Sequence, residues 1–446
     1  MVPTAAPALR RELGRWDLTA IGINQVIGAA VFAAPAALAA GVGAWSPWLV
    51  GAVGVASLLI ALSFAEVSSR FDGTGGPYLY TRAAFGRFAA FQVGWLLWFT
   101  RVASWASVIN VLATYLGRYV PSLAVGWGRA VLITGVIAAI AAINIRGIKQ
   151  SSVVVNLFTI GKLTPLIVFV LVGLFYIDGR ALVPDAVPEF GQLAASTLLL
   201  VFAFGGYEVV PVPAGEARDP RTAVPFALVM TIVSVAVILV LVQVVALGTL
   251  PGLAQSKTPL ADASMLFLGA AGAALMTAGT VVSTTGNNMG QALSGSRNLF
   301  ALAEQGDLPA VFGRVHPVFR TPVTAILVTS SFSLVLALSG TFVTMALASA
   351  MTRLVIYVAT CASTLRLRSP RFEGHVRPAT FTVPFGPVIP LAAIVIALTI
   401  LIGATPTQIQ SGGVRSGAYA VLAGTVLYVI AVRGERKAAT VSPQGN

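Results

Sequence analysis

Residues 27–35 read IGAAVFAAP, and residues 202–208 read FAFGGYE. Each stretch lies inside a long apolar run and carries glycine where a membrane helix should continue: Gly28 in the first, Gly205 and Gly206 in the second. Each run also reaches a proline, Pro35 in one and Pro211 and Pro213 in the other. Glycine permits backbone that a helix forbids. Unwinding at membrane depth frees N–H and C=O groups, which is tolerable only where they line a cavity or meet a ligand. The freed N-terminus of a half-helix attracts an anion and freed carbonyls attract a cation. A zwitterion offers both. One glycine break alone would read as close packing through small residues. Two, one at the start of each half of the first ten apolar runs, point to a binding site.

The surrounding composition fixes the solvent. The 446-residue chain is 57% hydrophobic and 10% charged, against about 25% charged in a soluble domain. So little charge cannot cover a water-facing surface, and lipid must surround most of the chain. Long apolar runs exclude a β-barrel, whose strands alternate apolar and polar residues. Cys361 is the only cysteine, so no intrachain disulfide can form. His316 and His375 stand far apart in predicted loops, and no metal-ligand spacing occurs, so no metal or other cofactor is expected. Residues 1–17 lack the apolar core and small-residue site of a cleaved signal, and the first span is expected to act as its own insertion signal.

A span needs about 20 apolar residues. Twelve are predicted, over 16–40, 45–68, 86–116, 128–145, 151–176, 192–213, 225–249, 273–302, 322–339, 342–365, 387–404 and 416–433. With the N-terminus inside, twenty of the 28 Lys and Arg residues fall on the cytoplasmic side. Five fall outside: Arg118, Arg129, Arg180, Lys257 and Arg415. This bias predicts a multi-pass protein of the cytoplasmic membrane with both termini inside. It also accounts for the net charge of +13 without a nucleic-acid partner.

Four ionisable residues fall deep within spans, away from their ends: Arg101, Lys162, Glu208 and Arg353. Each costs about 2.5–3.5 kcal/mol on insertion scales and persists when paired or functional. Lys162 lies about eleven residues into its span, ~16 Å at helical rise, near the midplane. Glu208 is the acid at comparable depth, since Glu66 falls near the inner end of the second span. The plain alternative is that these charges pair with one another or with backbone and only hold helices together.

At these residues the chain resembles the amino acid–polyamine–organocation superfamily of transporters. IGAAVFAAP is similar to the superfamily's first-span motif. GTGGPYLYTRAAFG (73–86) resembles its first cytoplasmic loop, FAFGGYE with GEARDPRTAVP (215–225) its sixth-span break, and GSRNLFALAEQGDLPAVFGRVHP (295–317) its eighth-span end and loop. Each motif is short, but four in order at the right helix ends are specific, and the likeness runs from about residue 14 to 435.

The resemblance implies an all-α membrane protein with the inverted-repeat fold of the leucine transporter. Its repeats would span 14–178 and 190–370, with two added helices over 380–434. The substrate would lie between the breaks flanking Gly28 and Gly205–Gly206. Its carboxylate would meet the N–H groups of Ala29, Ala30 and Val31. Its amino group would meet the carbonyls of Val26, Phe202 and Gly205, Phe202 would close over it, and Asn287 and Gln291 would face the pocket. NLFTIGKLTPL (156–166) resembles a segment whose lysine reaches the place where sodium-coupled relatives hold a cation. Lys162 would then meet first-span carbonyls, here Gly22 and Ile23, and the Ser283 hydroxyl. Lys162 and Glu208 are the candidate coupling residues. Where the superfamily has serine and glycine, this chain has Ala29 and Ala30, which removes a hydroxyl and narrows the pocket.

The function expected is amino acid transport by alternating access, independent of sodium. Proton coupling through Lys162 and a permanently charged, structural Lys162 remain open alternatives. The amino acid substrate, the lipid bilayer and protons are the partners implied. A polyamine carrier would want several acids at depth and has one. A non-transporting amino acid sensor would be expected to carry a signalling domain. An enzyme is not expected, since no Ser/His pair or paired aspartates fall inside spans.

Overall fold

Proline and glycine punctuate the helices. In the computed structural model, which describes residues 12–73, 75–147, 152–184, 186–410 and 421–431, proline opens the first turn of the helices that begin at Ser46, Pro77, Pro220 and Pro259. There its missing N–H would have no helical partner. The helices are α1 (Arg15–Val26), α2 (Ala30–Val42), α3 (Ser46–Ser68), α4 (Pro77–Phe85), α5 (Arg87–Leu116), α6 (Gly126–Arg146) and α7 (Ser152–Gly173). They continue as α8 (Phe190–Ala203), α9 (Pro220–Thr249), α10 (Pro259–Glu304), α11 (Val323–Ser339), α12 (Phe342–Arg366), α13 (Val388–Gln410) and α14 (Val421–Ala431).

Where the helix ends are described, the predicted edges match them to a few residues, apart from the sixth span, whose helix stops at Ala203, and two further exceptions; the edges predicted at 416 and 433 lie outside the described residues. The segment 73–86, expected as a loop, contains the helix α4, entered at Gly76 (φ 53°) and left at Gly86 (φ 86°). The eighth predicted span starts too late. α10 begins at Pro259 as a short helix that turns at Gly269 (φ 65°, ψ −158°) into the long one. Eight helical stretches among the described residues are long and apolar enough to cross a membrane, with Ala30–Ser68 running as one stretch. Three shorter apolar helices, Val323–Ser339, Val388–Ala404 and Val421–Ala431, accompany them.

α5 is the central post, buried along nearly its whole length. Small hydroxyls carry its contact with α12: Thr100 meets Thr352 at 3.0 Å, Ser104 meets Ser349 at 2.9 Å, and Ser107 donates to the Phe342 carbonyl at 2.8 Å. Such residues let helices approach closely where lipid supplies no hydrophobic drive. Outward faces are apolar: Val55, Trp127, Phe175, Val237, Phe332 and Ile402 are exposed.

Polar ties mark the two ends. At one, Leu13 exchanges backbone hydrogen bonds with Glu216 and Arg218, Arg368 forks onto buried Glu66 at 2.6 Å, Arg377 meets Asp72 at 2.6 Å, and Arg87 meets Asp307 at 2.7 Å. The arginines among these, Arg87, Arg218, Arg368 and Arg377, are the ones the charge count places together on one side. At the other end Trp45 donates to the Ala186 carbonyl at 2.7 Å, Asp178 to that of Gly248 at 2.8 Å, and Arg118 pairs with Asp262. Arg10, Arg11, Lys149, Arg415, Arg433, Arg436 and Lys437 lie outside the described residues.

Candidate functional site at the helix breaks

Both glycine stretches interrupt their helices. α1 ends at Val26, Ile27 leaves the helical region (φ −75°, ψ 85°), and the Gly28 N–H turns back to the Val26 carbonyl at 2.9 Å. α2 restarts at Ala30, so the N–H groups of Ala30 and Val31 open a helix and have no intrahelical partner. Ala29, Ala30 and Val31 are buried. In the second stretch α8 ends at Ala203. Phe204 and Gly205 close a turn onto the Leu200 and Phe202 carbonyls at 2.8 and 3.0 Å, and Gly206 takes φ 131°. Beyond it the chain continues only as single 3₁₀ turns before α9.

The two glycines of this second break are required for different reasons. Gly206 needs its conformation, and a Cβ there would also stand 2.8 Å from the Gln25 backbone. The breaks therefore touch, Gly206 against Gln25. Gly205 has no positive φ. It needs space, because a Cβ there would fall on the guanidinium of Arg353.

Three of the four interior charges meet at this break. Glu208 Oε1 accepts from Arg101 at 2.5 Å and lies 3.5 Å from the Arg353 Nε. Its Oε2 accepts the Gly206 N–H at 2.8 Å and the Tyr357 hydroxyl at 3.3 Å. Glu208 thus caps its own helix break, and Arg101 and Glu208 pair as the plain alternative foresaw. Gln291 joins this cluster to the first break. It accepts from Arg101 at 3.2 Å and donates to Asn287 at 3.2 Å, and Asn287 donates to the Gln25 carbonyl at 2.9 Å.

Lys162 stands apart from Glu208. Its Nζ donates to the carbonyls of Asn24 at 2.9 Å and Ile27 at 2.8 Å. Ser283 donates to the carbonyls of Ile27 at 3.3 Å and Gly28 at 2.9 Å. Lys162 and Ser283 thus share the Ile27 carbonyl of the first break, with Asn24 as the second partner of Lys162 and Gly28 that of Ser283, in place of the expected Gly22 and Ile23. The unwinding at Ile27 is what frees these oxygens.

The carbonyls of Val26 and Phe202 accept backbone N–H groups and keep one lone pair each. Phe202 packs edge-to-face on Phe342, centroids 6.0 Å apart. Two neighbours escaped the sequence reading. Asn24 Oδ1 and Gln25 Oε1 are buried without a hydrogen-bond partner at the first break, and the polar pair inside an apolar run was their signal.

A cavity of about 880 Å³ runs between the first break, at Asn24 and Gln25, and the end of the molecule that holds Leu13 and Glu216. Its inner wall includes Asn24, Gln25, Gly290 and Val209, and its mouth includes Tyr78, Arg82, Glu216, Arg297 and Arg320. At the mouth Tyr78 donates to Asp307 at 3.0 Å, and Arg82 pairs with Gln305. Burial, then the neighbouring Asp307 carboxylate, pushes the Tyr78 hydroxyl up to about 12.

A polytopic helical membrane protein, with two interrupted helices meeting at the head of a deep cavity, is the class that fold and site define. Within it the chain belongs to the amino acid permease family, whose profile matches residues 13–431. The serine/threonine exchanger SteT of Bacillus subtilis is 30% identical over 91% of this chain and 93% of its own length. The branched-chain amino acid permease BcaP of the same organism is 27% identical, over 89% of this chain and 88% of its own. The methylthioribose transporter of that organism is also 27% identical, over 88% of each chain.

Proposed function

We propose that this chain is a twelve-span secondary transporter that moves amino acids across the cytoplasmic membrane, independently of sodium, by alternating access between two inverted repeats. Both termini lie in the cytoplasm, and the cavity is the cytoplasmic vestibule of the inward-open state. The substrate binds between the breaks, its carboxylate at the N-terminus of α2 and its ammonium group among the carbonyls beside Gln25 and Gly205. Family membership and the names of the two amino acid carriers support the substrate class. The packing supports the repeat, since α5 lies on α12 as its counterpart α10 lies on α7.

The observation that carries the reading is Lys162. An ammonium held by the Asn24 and Ile27 carbonyls, with Ser283 beside it, supplies a positive charge to the oxygens that unwinding exposes. A sodium ion there would be redundant and repelled. The test is uptake of a labelled amino acid panel into proteoliposomes, with sodium replaced by choline and then with an imposed proton gradient. Undiminished uptake in choline is expected. Uptake that requires sodium would refute the assignment of Lys162. Stimulation by an inward proton gradient, lost in Lys162→Met, would give Lys162 the coupling role; indifference to the gradient would leave it a structural cation.

A further inference from the structure

We infer that Arg353 reads the substrate's side chain, and that the site takes amino acids with a second carboxylate in preference to neutral ones. The inference rests on the amino acid permease reading above and names the substrate class of the same site. It begins from an imbalance of charge. Among the described residues, the buried charges between the helix ends are Arg101, Lys162 and Arg353 against Glu208 alone. The other buried acids, Glu66 and Asp307, belong to the end clusters with Arg368 and Arg87.

Glu208 offers Arg353 a shared charge at 3.5 Å but no hydrogen bond. Its two oxygens already serve Arg101, the Gly206 N–H and Tyr357. Arg353 Nε lies 3.5 Å from Oε1, outside hydrogen-bond geometry, and both Nε and Nη1 are buried without a hydrogen-bond partner. Nη2 makes only long contacts, to Ser104 at 3.3 Å and Ser349 at 3.5 Å. The side chain is 2% exposed. An arginine cannot relieve such burial by losing its proton, so the complement must come as an acceptor with negative charge.

The position of the free donor says where that acceptor comes from. Nη1 rests on the backbone of Gly205, with no side chain between. A ligand lying along the second break therefore lies against the guanidinium. The α-carboxylate has its own place at the N-terminus of α2. A side-chain carboxylate directed between α5, α8 and α12 would reach Arg353, fill its vacant donors and offset the surplus charge. A neutral side chain would leave those donors buried and bare, and a cationic one would be repelled.

The experiment is binding to the purified full chain in lipid nanodiscs, with labelled L-glutamate as probe and L-aspartate, L-glutamine, L-asparagine, L-serine and L-leucine as competitors. The acids are expected to bind at least about 10-fold more tightly than their amides. Arg353→Gln should lose about 10- to 100-fold in affinity for the acids, the range for one charge-assisted hydrogen bond, and with it the preference for the acids over their amides. Arg353→Lys should recover part of the loss. Arg101 still balances Glu208 in both variants; if neither stays monodisperse, the parent's selectivity decides alone. Tight binding of serine or leucine that glutamate cannot displace would overturn the inference and leave the permease reading standing. Failure of every amino acid to bind would overturn both.

Discussion

Gly205 and Arg353 occupy space that only one of them can widen into, and this makes a double-mutant cycle decisive. A methyl on Gly205 coincides with the guanidinium, so in Gly205→Ala the arginine must withdraw. Withdrawal removes its contacts with Ser104 and Ser349 and its approach to Glu208. Overpacking alone costs about 1–3 kcal/mol, and displacing a buried charge from its carboxylate adds to that, giving about 3 kcal/mol in all. The backbone raises no objection, and replacing glycine at a compatible position returns about 0.4–1 kcal/mol. In an Arg353→Ala background the obstacle is gone, and Gly205→Ala should be neutral or slightly stabilising. The coupling is therefore about 3–4 kcal/mol. Gly206→Ala is the control: its φ of 131° and the Gln25 backbone penalise any side chain whether or not the arginine is present. Unfolding in mixed micelles of increasing SDS content, followed by tryptophan fluorescence, measures all the variants. Costs for Gly205→Ala and Arg353→Ala that add within about 0.5 kcal/mol would show that the two residues do not share this space.

Three further outcomes are expected. Single cysteines at exposed Lys257 and exposed Arg371, in a Cys361→Ala background, should react with an impermeant maleimide from opposite faces of intact cells; equal labelling would sink the topology. Lys162→Met should lower uptake without abolishing it, in a protein that still purifies monodisperse, and adding sodium should not restore the parent rate; unchanged uptake would remove Lys162 from the site. Asp307→Asn releases Arg87 and Tyr78 at the cavity mouth, and it should leave equilibrium binding within about 3-fold, a cost of ~0.6 kcal/mol, while changing the exchange rate in proteoliposomes; a larger loss of binding would place Asp307 at the site itself.

The span edges were legible because burial in lipid demands long apolar runs, and proline and glycine end them locally. Both breaks were legible for the same reason, whereas the convergence of Lys162 and Ser283 on the first break was implied by the family resemblance. What escaped has a common cause. α4 is too short and too polar to announce itself by hydropathy, and the start of α10 hides behind the turn at Gly269. That Gly205 and Gly206 differ in purpose could not be read from two adjacent letters, because the reason for Gly205 sits on α12, far along the chain. The choice of Asn24 and Ile27 as partners of Lys162 depends on where the first helix unwinds, and sequence located that only to within a turn.

The vestibule described above runs from the breaks to Arg82, Arg297 and Arg320 without interruption. On the alternating-access reading proposed above, a small solute occupies only its innermost part, and the rest would have to collapse before the opposite face opens. This gives a route to inhibition that does not compete for specificity at the head of the cavity. An amino acid extended from its amide or side chain by a rigid acidic arm, long enough to reach those arginines, would dock through the mouth of the cavity and hold the walls apart. Such a compound would act as a doorstop, binding the carrier and never riding it.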